Sequence, residues 1–179
     1  MVVTVLGIEI NILAQIFGIF MLIFLVLSYQ KGRKGYLIYL SIAYFFCAIE
    51  SFILLAYSNV VCCVVSTIRN LTVLSYMKKG KEVPVKWTLL FLIPIVAVGI
   101  WSLVVSPWYN IFPPMLVIIH TFLTVQPKVM VLKVGCVFVE LGYLIFDIFI
   151  GAYIGVIRQI FTIISVITGI IKTKKELTK

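Results

Sequence analysis

Long apolar runs, each broken by a few polar or turn-forming residues, set the rhythm of this chain. A helix needs about 20 apolar residues to cross a bilayer. Seven runs approach that length: 8–29, 36–57, 60–77, 87–106, 111–125, 130–150 and 152–171. They predict an all-α membrane protein with seven transmembrane helices. The breaks fall at 30–35, at Ser58 with Asn59, at 78–86, at 107–110, at 126–128 and at Gly151. Lys172, Lys174 and Lys175 end the last run. Trp108 and Tyr109 suit a turn at the membrane interface, where such rings prefer to sit.

Charge changes the picture from a count to a topology. Twelve of the fifteen basic residues fall in the first, third and fifth breaks or the tail, and a thirteenth, Lys133, is placed to snorkel to that surface from span six. The N-terminus and the other breaks carry none. Basic residues accumulate in cytoplasmic loops, so the pattern predicts an N-terminus outside and a C-terminus in the cytoplasm. Removing one helix would scramble the alternation. The net charge of +9 is therefore a topology signal facing an anionic leaflet, and no nucleic-acid partner is implied.

Composition closes off other classes. The chain is 63% apolar with a mean hydropathy of +1.22, whereas a soluble domain is nearer half apolar; 179 residues leave no room for a soluble domain beside the spans. The N-terminus lacks a basic n-region and a clear cleavage site, so the first span is expected to stay. Cys47, Cys62, Cys63 and Cys136 all lie inside apolar runs without a C-x-x-C pair and read as small buried hydrophobes. With His120 as the only histidine, no metal site is expected, and no cofactor. Nucleophile elbows, zinc-protease helices and phosphate-cradling glycine loops are absent, so the chain is not expected to be an enzyme.

The chain also resembles itself. Shifted by 96 positions, Gln30 falls on Gln126, Ala56-Tyr57 on Ala152-Tyr153 and Lys78-Lys79 on Lys174-Lys175, while Glu50 falls next to Asp147. Spans one to three then correspond to spans five to seven, with span four as an inverting linker. That is a parallel 3+1+3 repeat about an axis along the membrane normal. The units are 1–86, a linker helix at 87–106, and 107–179.

Five charged residues sit well inside spans: Glu50, Arg69, Glu140, Asp147 and Arg158. Such groups are expensive in lipid and persist facing the bundle interior, water or a partner. At 1.5 Å per residue, Glu50 lies roughly 12 Å and Arg69 roughly 15 Å from the outer turn of the first unit. In the second unit Asp147 lies roughly 6 Å, Arg158 roughly 10 Å and Glu140 roughly 16 Å in. Each arginine can therefore meet an acid on the preceding helix. Glu140, Tyr143 and Asp147 share one helical face. Two acids near one arginine leave one acid available for protonation.

Polar neighbours extend these places. Asn70 and Gln159 each follow an arginine directly. Ser66, Thr67 and Thr72 on span three, and Thr162, Ser165 and Thr168 on span seven, match the usual role of such residues in bonding a helix backbone or a neighbour. Gly151 and Gly155 permit close helix approach. Pro94, Pro113 and Pro114 can act as kinks, or the latter two simply as a helix start. His120 can titrate near neutral pH or bond a neighbouring helix.

The residues Tyr143-Leu-Ile-Phe-Asp147, followed by Gly151 and Gly155, and Ser66-Thr-Ile-Arg69-Asn70 resemble motifs of the YgjV family of bacterial inner-membrane proteins, over nearly the whole chain. The aspartate stands where relatives often carry asparagine, and Glu50 where some carry histidine. That family is similar to the SWEET and PQ-loop transporters, whose plan is also three-plus-one-plus-three. The resemblance implies a multi-pass inner-membrane protein with substrate-lining polar residues on the third and seventh helices, where Asn70 and Gln159 lie. Gln30 and Gln126 lack the preceding proline of the PQ motif, so the resemblance does not imply a sugar.

Two functions fit. One is a small-solute transporter with a central polar cavity between the bundles, bound by Glu50, Arg69, Asn70, Glu140, Tyr143, Asp147, Arg158 and Gln159. The other is a non-transporting scaffold or regulatory partner whose charges only pair. The expected partners are the lipid bilayer and, for the first reading, a small polar solute. Both halves are present in one chain, which is consistent with a monomer.

Overall fold

The structure is a computed structural model that describes residues 2–5, 8–54, 57–105, 111–149 and 153–177. Among them are seven helices: α1 (Ile12–Tyr29), α2 (Arg33–Ile53), α3 (Tyr57–Lys78), α4 (Val85–Val105), α5 (Phe112–Val125), α6 (Val129–Phe149) and α7 (Tyr153–Leu177). Six are long and apolar enough to cross a membrane; α5, with 14 residues, is shorter. The expected turns at 107–110 and at Gly151 lie outside the described residues.

The first run does not begin as a helix. Val2–Val5 and Ile8–Asn11 form strands β1 and β2, antiparallel, with Val2 opposite Asn11 and Val5 opposite Ile8. Three of the four residues in β1 are valine and the other is threonine, and β-branched side chains favour extended backbone. The first span therefore starts at Ile12 rather than Ile8.

Other boundaries move for similarly local reasons. Ser58 and Asn59 are not a turn but lie in the first turn of α3. Asn59 Nδ2 reaches back to donate to Ser51 Oγ at 2.7 Å, tying α3 to the end of α2. The lysines after span seven do not end it, because α7 continues to Leu177. Lys and Leu are good helix formers, and Lys174 and Lys175 in the last turn complement the negative end of the helix dipole. At the start of α5, Pro113 and Pro114 occupy the first helical positions, where a missing N–H costs nothing.

Side chains bring one set of helix ends together. Arg33 at the start of α2 donates to the Thr124 and Val125 carbonyls at the end of α5. Gln30 donates to Ser165 and Thr168 of α7, and Trp87 Nε1 of α4 to Tyr76 of α3. The basic breaks at 30–32, 79–84 and 126–128 therefore share one end of the bundle, called here the basic end.

Lys133 corrects one expectation. Its ammonium does not snorkel to water. The residue is 1% exposed, and Nζ donates to the Gly169 carbonyl at 3.2 Å and Thr173 Oγ1 at 3.0 Å on α7. The Gly169 carbonyl also accepts from Thr173 Oγ1 at 2.9 Å, and a carbonyl oxygen can accept more than one hydrogen bond, so α7 takes the role expected of water.

Consecutive helices pack on each other, and α1 also packs on α7 while α3 packs on α5. α4 lies against α3 and α5 at the side. The apolar core sits near the basic end around Tyr29, Tyr36, Leu37, Leu40, Val73, Leu132 and Val166. Outward positions carry large apolar side chains such as Phe45, Leu89, Ile93, Phe138 and Ile164, as a surface facing hydrocarbon requires.

Candidate functional site

Where the two halves meet, six helices converge on polar side chains. Arg69 of α3 is fully buried. Its Nη1 donates to Thr121 Oγ1 at 2.8 Å, and Nη2 and Nε donate to Asn70 Oδ1 at 3.0 and 3.3 Å. Nη2 also lies 3.2 Å from His120 Nδ1. No carboxylate is among these partners, which corrects the expectation that Arg69 pairs with Glu50. The turn between α2 and α3 falls earlier than expected, and Arg69 faces α5 rather than α2.

Chemistry fixes the tautomer of His120. A guanidinium only donates, so Nδ1 accepts from Arg69, and the Tyr44 hydroxyl shares that nitrogen at 3.3 Å. The ring hydrogen then belongs to Nε2, which donates to the Tyr36 hydroxyl 2.9 Å away. Tyr36 in turn lies 3.3 Å from Cys136 Sγ, to which its hydroxyl is left to donate. The result is a directed chain from Arg69 through His120 and Tyr36 to Cys136 that links α3, α5, α2 and α6. The bonded-neighbour reading of His120 holds, but His120 is a hub, which one histidine in a sequence does not reveal.

The other arginine also finds an unexpected partner. Arg158 Nη1 of α7 lies 3.6 Å from Glu50 Oε2 of α2. The pair joins the two halves rather than neighbouring helices within one. Glu140 and Asp147 are within electrostatic reach of the same guanidinium. Glu140 Oε1 accepts a 2.6 Å hydrogen bond from the Tyr29 hydroxyl of α1. The Gln159 side-chain amide lies beside the Asp147 carboxyl. Since a carboxylate accepts only, the amide nitrogen faces it. Gly155 packs against the same carboxyl: a Cβ there would come within 2.6 Å of Asp147 Oδ2.

Two cavities are built from these groups. The central one, about 110 Å³, is lined from all the helices but α4, with Tyr44, His120, Glu140, Tyr143, Arg158 and Gln159 among its walls. A second, about 310 Å³, lies toward the end opposite the basic loops, between α3, α4, α5, α6 and α7, and includes Ser58, Ser102 and Asp147. Asn59, Cys62, Tyr143 and Arg158 border both. Of the expected site residues, Glu140, Tyr143, Asp147, Arg158 and Gln159 are thus brought to the cavities. Glu50 braces Arg158 from behind. Arg69 and Asn70 sit behind His120, outside the walls of these two cavities. Four buried polar atoms of these residues lack a hydrogen-bond partner: Asn70 Nδ2, Asp147 Oδ2, Arg158 Nε and Gln159 Oε1. The hydroxyls of Thr67, Thr72 and Thr162 bond their own helices, as expected. Among the described residues no group of histidine, cysteine and acidic side chains has the arrangement of a metal site.

Six helices long and apolar enough to cross a membrane, in a bundle with a buried polar centre, define a multi-pass integral membrane protein. The family model of the Imp-YgjV bacterial inner membrane proteins matches residues 12–176. The chain belongs to that family, and it is a protein of the bacterial inner membrane. No curated protein and no solved structure is detectably similar to it.

Proposed function

We propose that this protein is a carrier for a small polar solute that binds in the central cavity between two three-helix units. The observation that carries the reading is the cavity itself. It lies where the halves meet, and buried atoms of Arg158 and Gln159 in its wall lack partners. Unsatisfied buried polar groups are costly and are rare away from functional sites. A purely structural core would have been satisfied or made apolar.

Helix spacing supports the repeat. α2 and α6 both have 21 residues and begin 96 positions apart, as α3 and α7 also do. Two of the helix packings between halves, α1 with α7 and α3 with α5, exchange under the same shift. On this reading α5 is a seventh crossing, about 21 Å long at 1.5 Å per residue, and the basic end faces the cytoplasm. The protein is not an enzyme, works as a monomer, and needs no cofactor. The central volume is below the roughly 300–1,000 Å³ of drug-sized pockets, so the solute is small or enters through the second cavity as the walls move.

The scaffold reading draws on Arg69, whose guanidinium is fully engaged. A thermal-shift screen of purified wild-type protein against sugars, vitamins, amino acids and organic ions across pH separates the two. A carrier is stabilised by at least one solute, and Arg158→Ala weakens that effect. Absence of any stabilising solute, or a hit indifferent to Arg158→Ala, favours the scaffold.

A further inference from the structure

The charge of the site points to its ligand. Glu50 pairs with the guanidinium of Arg158, and two further carboxyls, Glu140 and Asp147, lie within its electrostatic reach. Arg158 is engaged with Glu50, which leaves a formal excess of carboxylate at the cavities. The other arginine inside a span, Arg69, is buried and turned toward Thr121, Asn70 and His120. Two of the unpartnered atoms are acceptors: Asp147 Oδ2 and Gln159 Oε1, each on a residue only 6% exposed. They come from adjacent side chains on α6 and α7. Asp147 opens on the outer cavity and Gln159 on the central one. Tyr143 borders both, and aromatic rings attract cations.

Resting on the carrier reading, we propose that the solute is a small organic cation with a primary ammonium group, seated where the two cavities meet. The ammonium donates to Asp147 Oδ2 and Gln159 Oε1. Its N–H donors match the two unpartnered acceptors, and the positive charge offsets the carboxylate excess in a low-dielectric setting. An anion would meet that excess unfavourably. A zwitterion would leave it unchanged while engaging Arg158 Nε. A sugar would satisfy the acceptors but not the charge.

The test is thermal stability of the full chain in detergent with ethylammonium chloride, glycine, sodium acetate or glucose, each at matched ionic strength. Ethylammonium is expected to raise Tm above a sodium chloride control, and the other three to do so less or not at all. Asp147→Asn and Gln159→Leu are expected to weaken ethylammonium binding at least tenfold. Should Asp147→Asn not fold, Glu140→Gln, which keeps an acceptor for Tyr29, replaces it as the charge-removing variant. A larger shift with glycine, acetate or glucose overturns the cation assignment while leaving the carrier reading standing. An ethylammonium shift unchanged in the variants also overturns it. No shift with any of the four counts against the cation, and the wider solute screen then decides whether the carrier reading falls with it.

Discussion

Arg158 on α7 and Glu50 on α2 face each other at 3.6 Å, so an ion pair joins helices that belong to opposite halves of the chain. The side chains are 26% and 13% exposed, which places the pair between a screened surface bridge and a dry buried one. Removing one partner leaves the other charge uncompensated. Glu50→Gln and Arg158→Gln are each expected to lower stability by about 1–3 kcal/mol. The double variant should lose less than the sum. Thermal unfolding of the four proteins in one detergent checks the cycle, and additive losses would mean that the two side chains do not interact.

The directed chain through His120 predicts a spectroscopic signature. Nδ1 accepts from Arg69 and Nε2 carries the hydrogen toward Tyr36. Nitrogen-15 NMR of histidine-labelled protein should give one protonated Nε2 and one unprotonated Nδ1. The opposite tautomer would place two donors against each other and is expected to be undetectable.

Removing the hub should cost more than removing a spoke. His120→Leu leaves Arg69, Tyr36 and Tyr44 each short of a partner and is expected to destabilise by about 1–3 kcal/mol per orphaned group, with less than additive accumulation. Tyr36→Phe removes one hydroxyl and should cost about 0.5–1.5 kcal/mol. Equal losses would show that His120 does not organise the cluster.

Close approach of α1 to α7 rests on Gly169. A Cβ there would overlap the backbone carbonyl of Tyr29, which cannot swing aside as a side-chain tip can. Gly169→Ala should therefore cost about 1–3 kcal/mol by overpacking. Gly32, where a Cβ would meet nothing within 4 Å, is the control for packing; as the N-cap of α2 it should lose no more than about 1 kcal/mol on Gly32→Ala. Similar behaviour of both variants would contradict the α1–α7 packing.

Thiol chemistry can report on the cavities. Cys62 borders both, whereas Cys136 is fully buried beneath the Tyr36 hydroxyl. A small water-soluble methanethiosulfonate should modify Cys62 on the order of tenfold faster than Cys136, since access and thiolate formation govern thiol reactivity. Single-cysteine variants analysed by mass spectrometry measure the ratio. Comparable rates would show that water does not reach Cys62 preferentially.

The sequence made the helices readable because apolar run length and the placement of lysine are local properties. Arg158, Glu140, Asp147, Tyr143 and Gln159 could be nominated because a polar group in a span is conspicuous wherever it points. Their partners could not. Depth along a helix says which residues share a level but not which helix lies across from them. The pairing of Arg158 with Glu50, and of Arg69 with Thr121 and His120, depends on α1 meeting α7 and α3 meeting α5. Lys133 escaped for a related reason: its partner is a backbone carbonyl at Gly169, and no residue type advertises that. The β1–β2 hairpin was hidden because valine and isoleucine serve a strand and a membrane helix alike.

The separation of Arg69 from its partners along the chain has a consequence for biogenesis. His120 is 51 positions downstream of Arg69, so at about 5–20 residues per second of synthesis the arginine precedes its acceptor by about 3–10 s. During that interval α3 carries a guanidinium whose mature partners on α5 have not been made. The first three helices therefore need shelter at the insertion machinery, or water drawn into the membrane beside them, until the fifth arrives to complete their interior.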